Sequence, residues 1–398
     1  MVERLSASFI DKRTIIWYNS RRRILGSDQM EFSAPCLLGL EGLLANELRF
    51  CGLENVRAEN GRVLFSGDYS AMARANLCSR LAQRVYILLA EFEATDFDTL
   101  FEGVRAIEWS EYLDRDDSFP VKGGSLDSTL SSIPACQKII KKAIVEKLRL
   151  RYDTEWFEES GGLHQVVFRI FKNRVSIMLD TTGAALNKRG YRELSGDAPI
   201  KETLAAAMAE LARVRADHIV IDPFCGSGTI LIEAAQKALG IMPGMNRSFA
   251  FEEWKQVDPA ILTAEKERAR AGERRDAKFR AYGYDIDDEA LAIARRNAEL
   301  AGVGERITFE KRDIRDYHED FERASVITNP PYGERMLELK EARELYRIAG
   351  NAFEKKPYHS YTVISPDDQF EKCFGRPADK RRKLYNGTLR CNVFMYYK

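Results

Sequence analysis

Two stretches hold side chains whose types and spacing could do chemistry. In the first, ITNPPYGERM (327–336), a short apolar run is cut off by Asn329, Pro330, Pro331 and Tyr332. Proline cannot donate to a sheet ladder, and the residue before a proline is pushed out of the helical region, so the segment stops a strand rigidly. Asn329 offers an amide oxygen and Pro330 an outward-held carbonyl. Together they can accept both hydrogens of an exocyclic NH2 group, while Tyr332 supplies a flat face for a ring. An amine conjugated to a ring is a poor nucleophile because its lone pair is delocalised. Two acceptors would aim that lone pair at an electrophile and stabilise the charge developing on nitrogen. No cysteine or histidine nucleophile is required. The alternative is a strand cap and nothing more.

The second stretch, DPFCGSGTI (222–230), follows a strand and opens a helix. Gly226 and Gly228 let backbone approach a ligand, and the helix start presents N–H groups. A phosphate loop would need the lysine of GxxxxGK[ST], which is missing. A dinucleotide fingerprint would need a third glycine, but Ile230 and Leu231 stand around that position. What remains is a nucleoside-like ligand without a pyrophosphate. Asp222, Pro223, Phe224, Gly226, Ser227, Gly228 and Thr229 are the candidate contacts. Asp285, with Ile286 beside it, ends the next strand and can accept two ribose hydroxyls; Asp287 is its rival. Asp313, followed by Ile314, could take the amino group of an adenine. These are tips of consecutive parallel strands, where open α/β sheets hold ligands. The alternative is a tight turn with ordinary surface carboxylates.

The elements that must position these residues alternate. The periodicity predicts strands at 218–224, 281–287, 307–313, 324–330 and 361–366, separated by helices at 199–214, 229–239, 289–302 and 344–355. That pattern means a mostly parallel sheet covered on both faces. A terminal hairpin over 384–398, turning at Asn386-Gly387, adds antiparallel edge strands. An insertion (242–254) and a charged helix (264–276) interrupt the series. Upstream, residues 30–180 read as an α+β region of two small sheets. It has a helix ended by Gly52, a strand at 61–67, a helix around 97–107, a loop over 114–124, a long helix over 133–152, and a hairpin over 164–182 with Lys172-Asn173 in its turn. Residues 1–29 read as a disordered extension that precedes the first domain.

Length and composition narrow the classes. A chain of 398 residues holds two or three domains, and 61 basic residues balance 61 acidic ones. No global positive field exists, so nucleic-acid binding would rest on local patches. Seven scattered cysteines without a CxxC pair, and only four histidines, argue against a disulfide framework and a zinc site. With no signal-peptide pattern and no long apolar run, a reducing cytoplasm is the expected location.

DPFCGSGT and NPPYGERM, in this order, resemble the class I S-adenosylmethionine-dependent methyltransferases that act on exocyclic amines. The trailing Gly333-Glu334-Arg335 is similar to the guanine-N2 RNA branch. ENGRVLFSG, FPVKG, IPACQKIIKKAIVEKL, LDTTGAALNKRGYR, MPGMNRSFAFEEW and DKRRKLYNGTLRC resemble the THUMP-domain 23S rRNA guanine-N2 methyltransferase family, over residues 30–398. The resemblance implies an α/β chain: a seven-stranded Rossmann-like class I methyltransferase domain (183–398) preceded by an α+β ferredoxin-like/THUMP region. Within that region, 30–95 would be ferredoxin-like and 96–182 THUMP, with 69 as another place for THUMP to begin. It further implies S-adenosyl-L-methionine as cofactor, with Asp222 and the Gly226–Gly228 turn contacting it, Asp285 its ribose and Asp313 its adenine. Asn329, Pro330, Pro331 and Tyr332 would form the target pocket.

The THUMP likeness implies an RNA partner, 23S rRNA or a precursor particle. Basic residues consistent with that are Lys122, Lys138, Lys141 and Lys142, then Lys188, Arg189, Tyr191 and Arg192 at the junction between the halves, and Arg381 and Arg382 before the last hairpin. Enteric relatives carry a second, C-terminal methyltransferase domain, so one activity is expected here. Nothing in the sequence points to an oligomer, and a monomer is expected.

Overall fold

A computed structural model describes residues 29–192, 200–318, 321–332 and 339–397. The expected extension, apart from Gln29, and the Gly333-Glu334-Arg335 segment lie outside the described residues. The elements run β1 (Met30–Pro35), α1 (Glu41–Phe50), β2 (Glu54–Glu59), β3 (Arg62–Gly67), α2 (Tyr69–Cys78), β4 (Tyr86–Glu93), α3 (Phe97–Arg105), β5 (Val121–Leu126), α4 (Ile133–Tyr152), β6 (Val166–Phe171) and β7 (Arg174–Asp180). The second half follows with α5 (Glu202–Leu211), β8 (Ile219–Asp222), α6 (Thr229–Leu239), α7 (Pro259–Ala271), β9 (Arg280–Asp285), α8 (Asp288–Leu300), β10 (Ile307–Lys311), β11 (Ala324–Thr328), α9 (Leu339–Ala352), β12 (His359–Ser365), α10 (Phe370–Phe374), β13 (Lys380–Asn386) and β14 (Leu389–Tyr396).

The first half is one seven-stranded sheet, ordered β2-β3-β1-β4-β7-β6-β5, and not two small ones. The joint is the antiparallel pair β4/β7, which runs from Tyr86↔Asp180 to Glu93↔Arg174. Pairing hides two edges that separate sheets would leave open. Two strands escape the pattern of the sequence. β2 is exposed along almost its whole length and so carries no apolar alternation. β5 occupies part of the expected loop and runs parallel to β6. A Cβ at Gly123 would sit 2.1 Å from the Phe168 carbonyl oxygen, so only glycine allows that approach. The β6/β7 hairpin turns at Lys172 and Asn173, both at positive φ, which suits the twist of a two-residue turn.

The second sheet is ordered β10-β9-β8-β11-β12-β14-β13. Its first five strands are parallel, and β14 and β13 are antiparallel additions. β11 is buried along its whole length, as a strand covered on both faces must be. The parallel order reverses between β8 and β11, so the crevice at a switch point opens beside the C-terminal ends of those two strands.

The insertion after α6 joins the halves. Gly244 donates its N–H to the Leu77 carbonyl at 2.9 Å, and Phe251 donates to Thr181 at 3.2 Å. Trp254 stacks on buried His164 with ring centroids 4.6 Å apart, and its indole N–H donates to the Leu163 carbonyl. On α7, Glu265 accepts two hydrogen bonds from the Arg74 guanidinium, at 2.6 and 2.9 Å. One contiguous apolar core runs through both sheets, from Phe32 to Met395.

Candidate active site

Asp222 is the last residue of β8 and is buried. Its Oδ1 accepts from the Thr328 hydroxyl at 2.6 Å and from the Phe224 N–H at 3.1 Å. Burial pushes its carboxyl up to about 7; the donations from Thr328 and Phe224 pull it down, and the nearby Asp285 charge adds to the rise. The glycine turn follows. Gly226 (φ 49°) donates its N–H to Asp285 Oδ2 at 2.9 Å, and Gly228 (φ 76°) caps α6. A Cβ at Gly226 would project into open space, whereas one at Gly228 would lie 3.1 Å from both the Ala294 Cβ and the Phe309 ring. The two glycines therefore differ. Gly226 leaves its outer face clear for a ligand, and Gly228 lets α8 and β10 pack close.

Asp285 also accepts from the Asp287 N–H at 3.1 Å, so it ties the tip of β9 to the glycine turn. Two accepted bonds leave a carboxylate with lone pairs for ribose hydroxyls. Asp287 has other work: it is the N-cap of α8 and accepts from the Glu289 N–H. Ile286 between them is 65% exposed, an apolar surface at the mouth of the crevice, while Ile314 is buried. Asp313 accepts from both the Arg315 N–H and its guanidinium, at 2.8 and 2.7 Å, so an adenine amine would share that carboxylate.

Across the switch point, β11 delivers Asn329. Its Oδ1 is buried and has no hydrogen-bond partner among the described residues. Such an acceptor costs free energy unless something donates to it, which is the property a site for an NH2 group requires. Pro330 is buried and Pro331 half-buried. The Tyr332 hydroxyl accepts from Asn386 Nδ2 at 2.7 Å. Cys225 adds no nucleophile, since burial and the charges of Asp222 and Asp285 push its thiol well above the ordinary range.

The structure corrects several basic candidates. Arg189 is buried; its guanidinium donates to Glu233 at 3.3 Å and to the Ser79, Arg80 and Leu186 carbonyls. Tyr191 is buried beside it, with its hydroxyl donating to the same Glu233. Arg192 turns toward the glycine loop, where it donates to the Thr229 hydroxyl at 2.7 Å and the Ile200 carbonyl at 2.8 Å. Lys141 is spent on Glu159, the Phe119 carbonyl and the Phe119 ring. Arg189 and Tyr191 are thus enclosed and do not face solvent, while Lys141 and Arg192 are half-buried and engaged within the chain. Lys122, Lys138, Lys142 and Lys188 are exposed. Arg381 is exposed and paired with Glu371, and Arg382 donates to the Gly39 carbonyl. Sequence reasoning gave no site role to Thr328 and read Asn386 only as a hairpin-turn residue. Thr328 directly precedes Asn329 and carried a signal, since a hydroxyl at a strand tip can serve a buried carboxylate. Asn386 carried none.

With this geometry in hand, a family model described as the RMKL-like methyltransferase domain matches residues 189–394. The chain belongs to this family. Ahead of the RMKL-like domain, models of the RlmL ferredoxin-like domain and the THUMP domain match residues 31–86 and 94–180. YpsC of Bacillus subtilis (strain 168), described as a candidate RNA methyltransferase, is 41% identical over 366 residues, 92% of this chain and 95% of its own. The ribosomal RNA large subunit methyltransferase K/L of Psychromonas ingrahamii is 34% identical over 376 residues, 92% of this chain but 50% of its own. The chain thus spans about half the length of such K/L relatives. Among solved structures, SMU.472, a candidate methyltransferase complexed with SAH, superposes with TM-score 0.88 at 39% identity, over 93% of this chain and 98% of that one. A Listeria monocytogenes protein described as a predicted N6-adenine-specific DNA methylase superposes with TM-score 0.88 at 40% identity, over 94% and 98%. The fold of these two solved structures is therefore shared along nearly the full chain, and the sheet of the RMKL-like domain carries Asp222, Asp285, Asp313 and Asn329 at the tips of four neighbouring strands.

Proposed function

We propose that this protein transfers a methyl group from S-adenosyl-L-methionine to the exocyclic N2 amine of a guanosine in RNA, with 23S rRNA as the substrate. The observation that carries the reading is the buried Oδ1 of Asn329, without a hydrogen-bond partner among the described residues and set across the switch point from the glycine turn. The open face of Gly226 and the Asp285 carboxylate fit a nucleoside-bearing donor. That donor supplies an electrophilic methyl on a sulfonium. The chain does the rest. Asn329 and the Pro330 carbonyl accept the two amine hydrogens, Tyr332 stacks on the displaced base, and the lone pair is left pointing at the methyl. Forming the N–C bond would break the S–C bond of the donor and release S-adenosyl-L-homocysteine, and the excess proton leaves to solvent.

RNA as substrate is supported by the THUMP match and by the names of YpsC and the K/L relatives. Lys122 on β5 and Lys138 on α4, two elements tied by the Gln137 donation to the Val121 carbonyl, are the surface cations proposed to meet phosphate. The protein is proposed to act as a cytoplasmic monomer. Among the described residues, no helix is long and apolar enough to cross a membrane.

A second reading is adenine-N6 transfer, which the name of the Listeria structure favours. One experiment separates the two. Labelled methyl is transferred to ribosomal RNA, tRNA and DNA from cells lacking the protein, and the products are digested to nucleosides. N2-methylguanosine in 23S rRNA is expected. Label in tRNA moves the substrate, label in N6-methyladenine overturns the guanine assignment, and no label at all leaves an RNA-binding assembly factor.

A further inference from the structure

Asn386 is the last residue of β13, and its Nδ2 donates to the Tyr332 hydroxyl across 54 positions of sequence. β13 is the outer strand of the second sheet, and alternate residues of a strand share a face. Arg382, Leu384 and Asn386 therefore point the same way. The Arg382 guanidinium donates to the Gly39 carbonyl in the β1–α1 turn. Leu384 is buried, and a Cβ at Gly39 would lie 3.7 Å from its Cδ2 and 3.1 Å from the Lys383 carbonyl oxygen. One strand face thus leans on the N-terminal half at its start and holds the Tyr332 hydroxyl at its end.

From this geometry we propose that Asn386 is a positioning residue for methyl transfer: it pins the Tyr332 ring in the plane on which the target base stacks, with β13 braced on the Gly39 turn as support. The inference rests on reading Asn329–Tyr332 as the target pocket. The two prolines ahead of Tyr332 fix their own φ and stiffen the chain that leads into it, but its ring still swings about the side-chain torsions. A hydrogen bond at the far end of the ring acts where the lever is longest. A base stacked on a tilting ring moves its amine off the line of attack, and misplacement by about 1 Å costs on the order of a hundredfold in rate. Losing one of several restraints should cost less, about tenfold.

The test is a double-mutant cycle with N386A, Y332F and the pair, using labelled methyl transfer to RNA under saturating donor. N386A is expected to lower kcat about tenfold with KM for RNA and donor affinity changed less than about threefold. Y332F is expected to do the same, and N386A to be silent in the Y332F background. Hydrogen exchange of the peptide spanning 324–332 supplies a readout that needs no activity: N386A should accelerate it while the melting temperature stays near wild type. Unchanged exchange, wild-type kcat in N386A, or fully additive losses would each overturn the proposal. If the wild-type protein methylates no nucleic acid, the pocket reading fails, and hydrogen exchange still decides whether Asn386 holds Tyr332.

Discussion

The Thr328 hydroxyl donates to Asp222 Oδ1 at 2.6 Å, and this bond crosses the place where the order of parallel strands reverses. It ties the glycine-turn strand to the strand that carries Asn329. β8 and β11 pair through Ser325↔Val220 and Val326↔Ile221, so the side-chain bond extends the contact beyond the backbone ladder to the tips. Replacing Thr328 with Val keeps the shape and removes the donor. The buried carboxylate then loses a partner, which should cost about 1–3 kcal/mol in urea unfolding. A variant as stable as wild type would mean that the bond does not support the crevice.

Asp222 makes stability depend on pH. Its folded value of about 7 lies above the ordinary carboxylate range, because burial disfavours the charged form. The native state thus holds a proton that the unfolded chain has released. That contribution is complete below about pH 4 and is lost as pH rises toward and through about 7, with a slope of up to about 1.4 kcal/mol per pH unit. D222N should remove this slope while keeping an oxygen for Thr328. Urea unfolding at pH 5, 6 and 7.5 checks it: the variant should gain on wild type as pH rises, and parallel curves would refute the assignment.

Asn329 and Asp285 should separate chemistry from binding. N329A is expected to abolish methyl transfer and leave donor affinity within a few fold, measured by calorimetry. D285A is expected to weaken donor binding at least tenfold and also to loosen the turn, since Gly226 loses the acceptor for its N–H. Equal loss of affinity in both variants would sink the division of roles. An unchanged dissociation constant in D285A would place the ribose elsewhere.

The basic residues should split by burial. Arg189 faces Glu233, and both side chains are almost fully enclosed. R189M leaves an uncompensated buried carboxylate and should cost about 3–5 kcal/mol of stability. K122E and K138E should leave the melting temperature alone, weaken RNA binding, and flatten its salt dependence. If R189M folds normally and fails only in RNA binding, the inward assignment of Arg189 is wrong.

The glycine turn and the proline-stopped strand were legible in local sequence because each device is short. A proline pair stops a strand within a few residues, and a glycine turn between strand and helix needs only the φ values that Gly226 and Gly228 adopt. The helices at 133–152 and 229–239 were readable for the same reason, since their apolar spacing repeats within one element. β2, β5 and the fused first sheet were not, because exposed or glycine-bearing strands have no apolar alternation and take their place from their neighbours. The hairpin turn, expected at Asn386-Gly387, falls one residue later, which leaves Asn386 as the end of β13.

By itself the sequence determined where the site would lie and that its donor is nucleoside-like, since the glycine turn and the proline-stopped strand depend on residue types at fixed local spacing. Only the tertiary structure decided which charges face water. Arg189 and Arg192 look like Lys122 and Lys138 on paper, and they differ in what lies opposite: Glu233 and the Thr229 hydroxyl claim the first two. It also decided that a distant asparagine meets Tyr332. A partner 54 positions away leaves no periodicity to read, because pairing between separated strands is set by packing of the whole sheet.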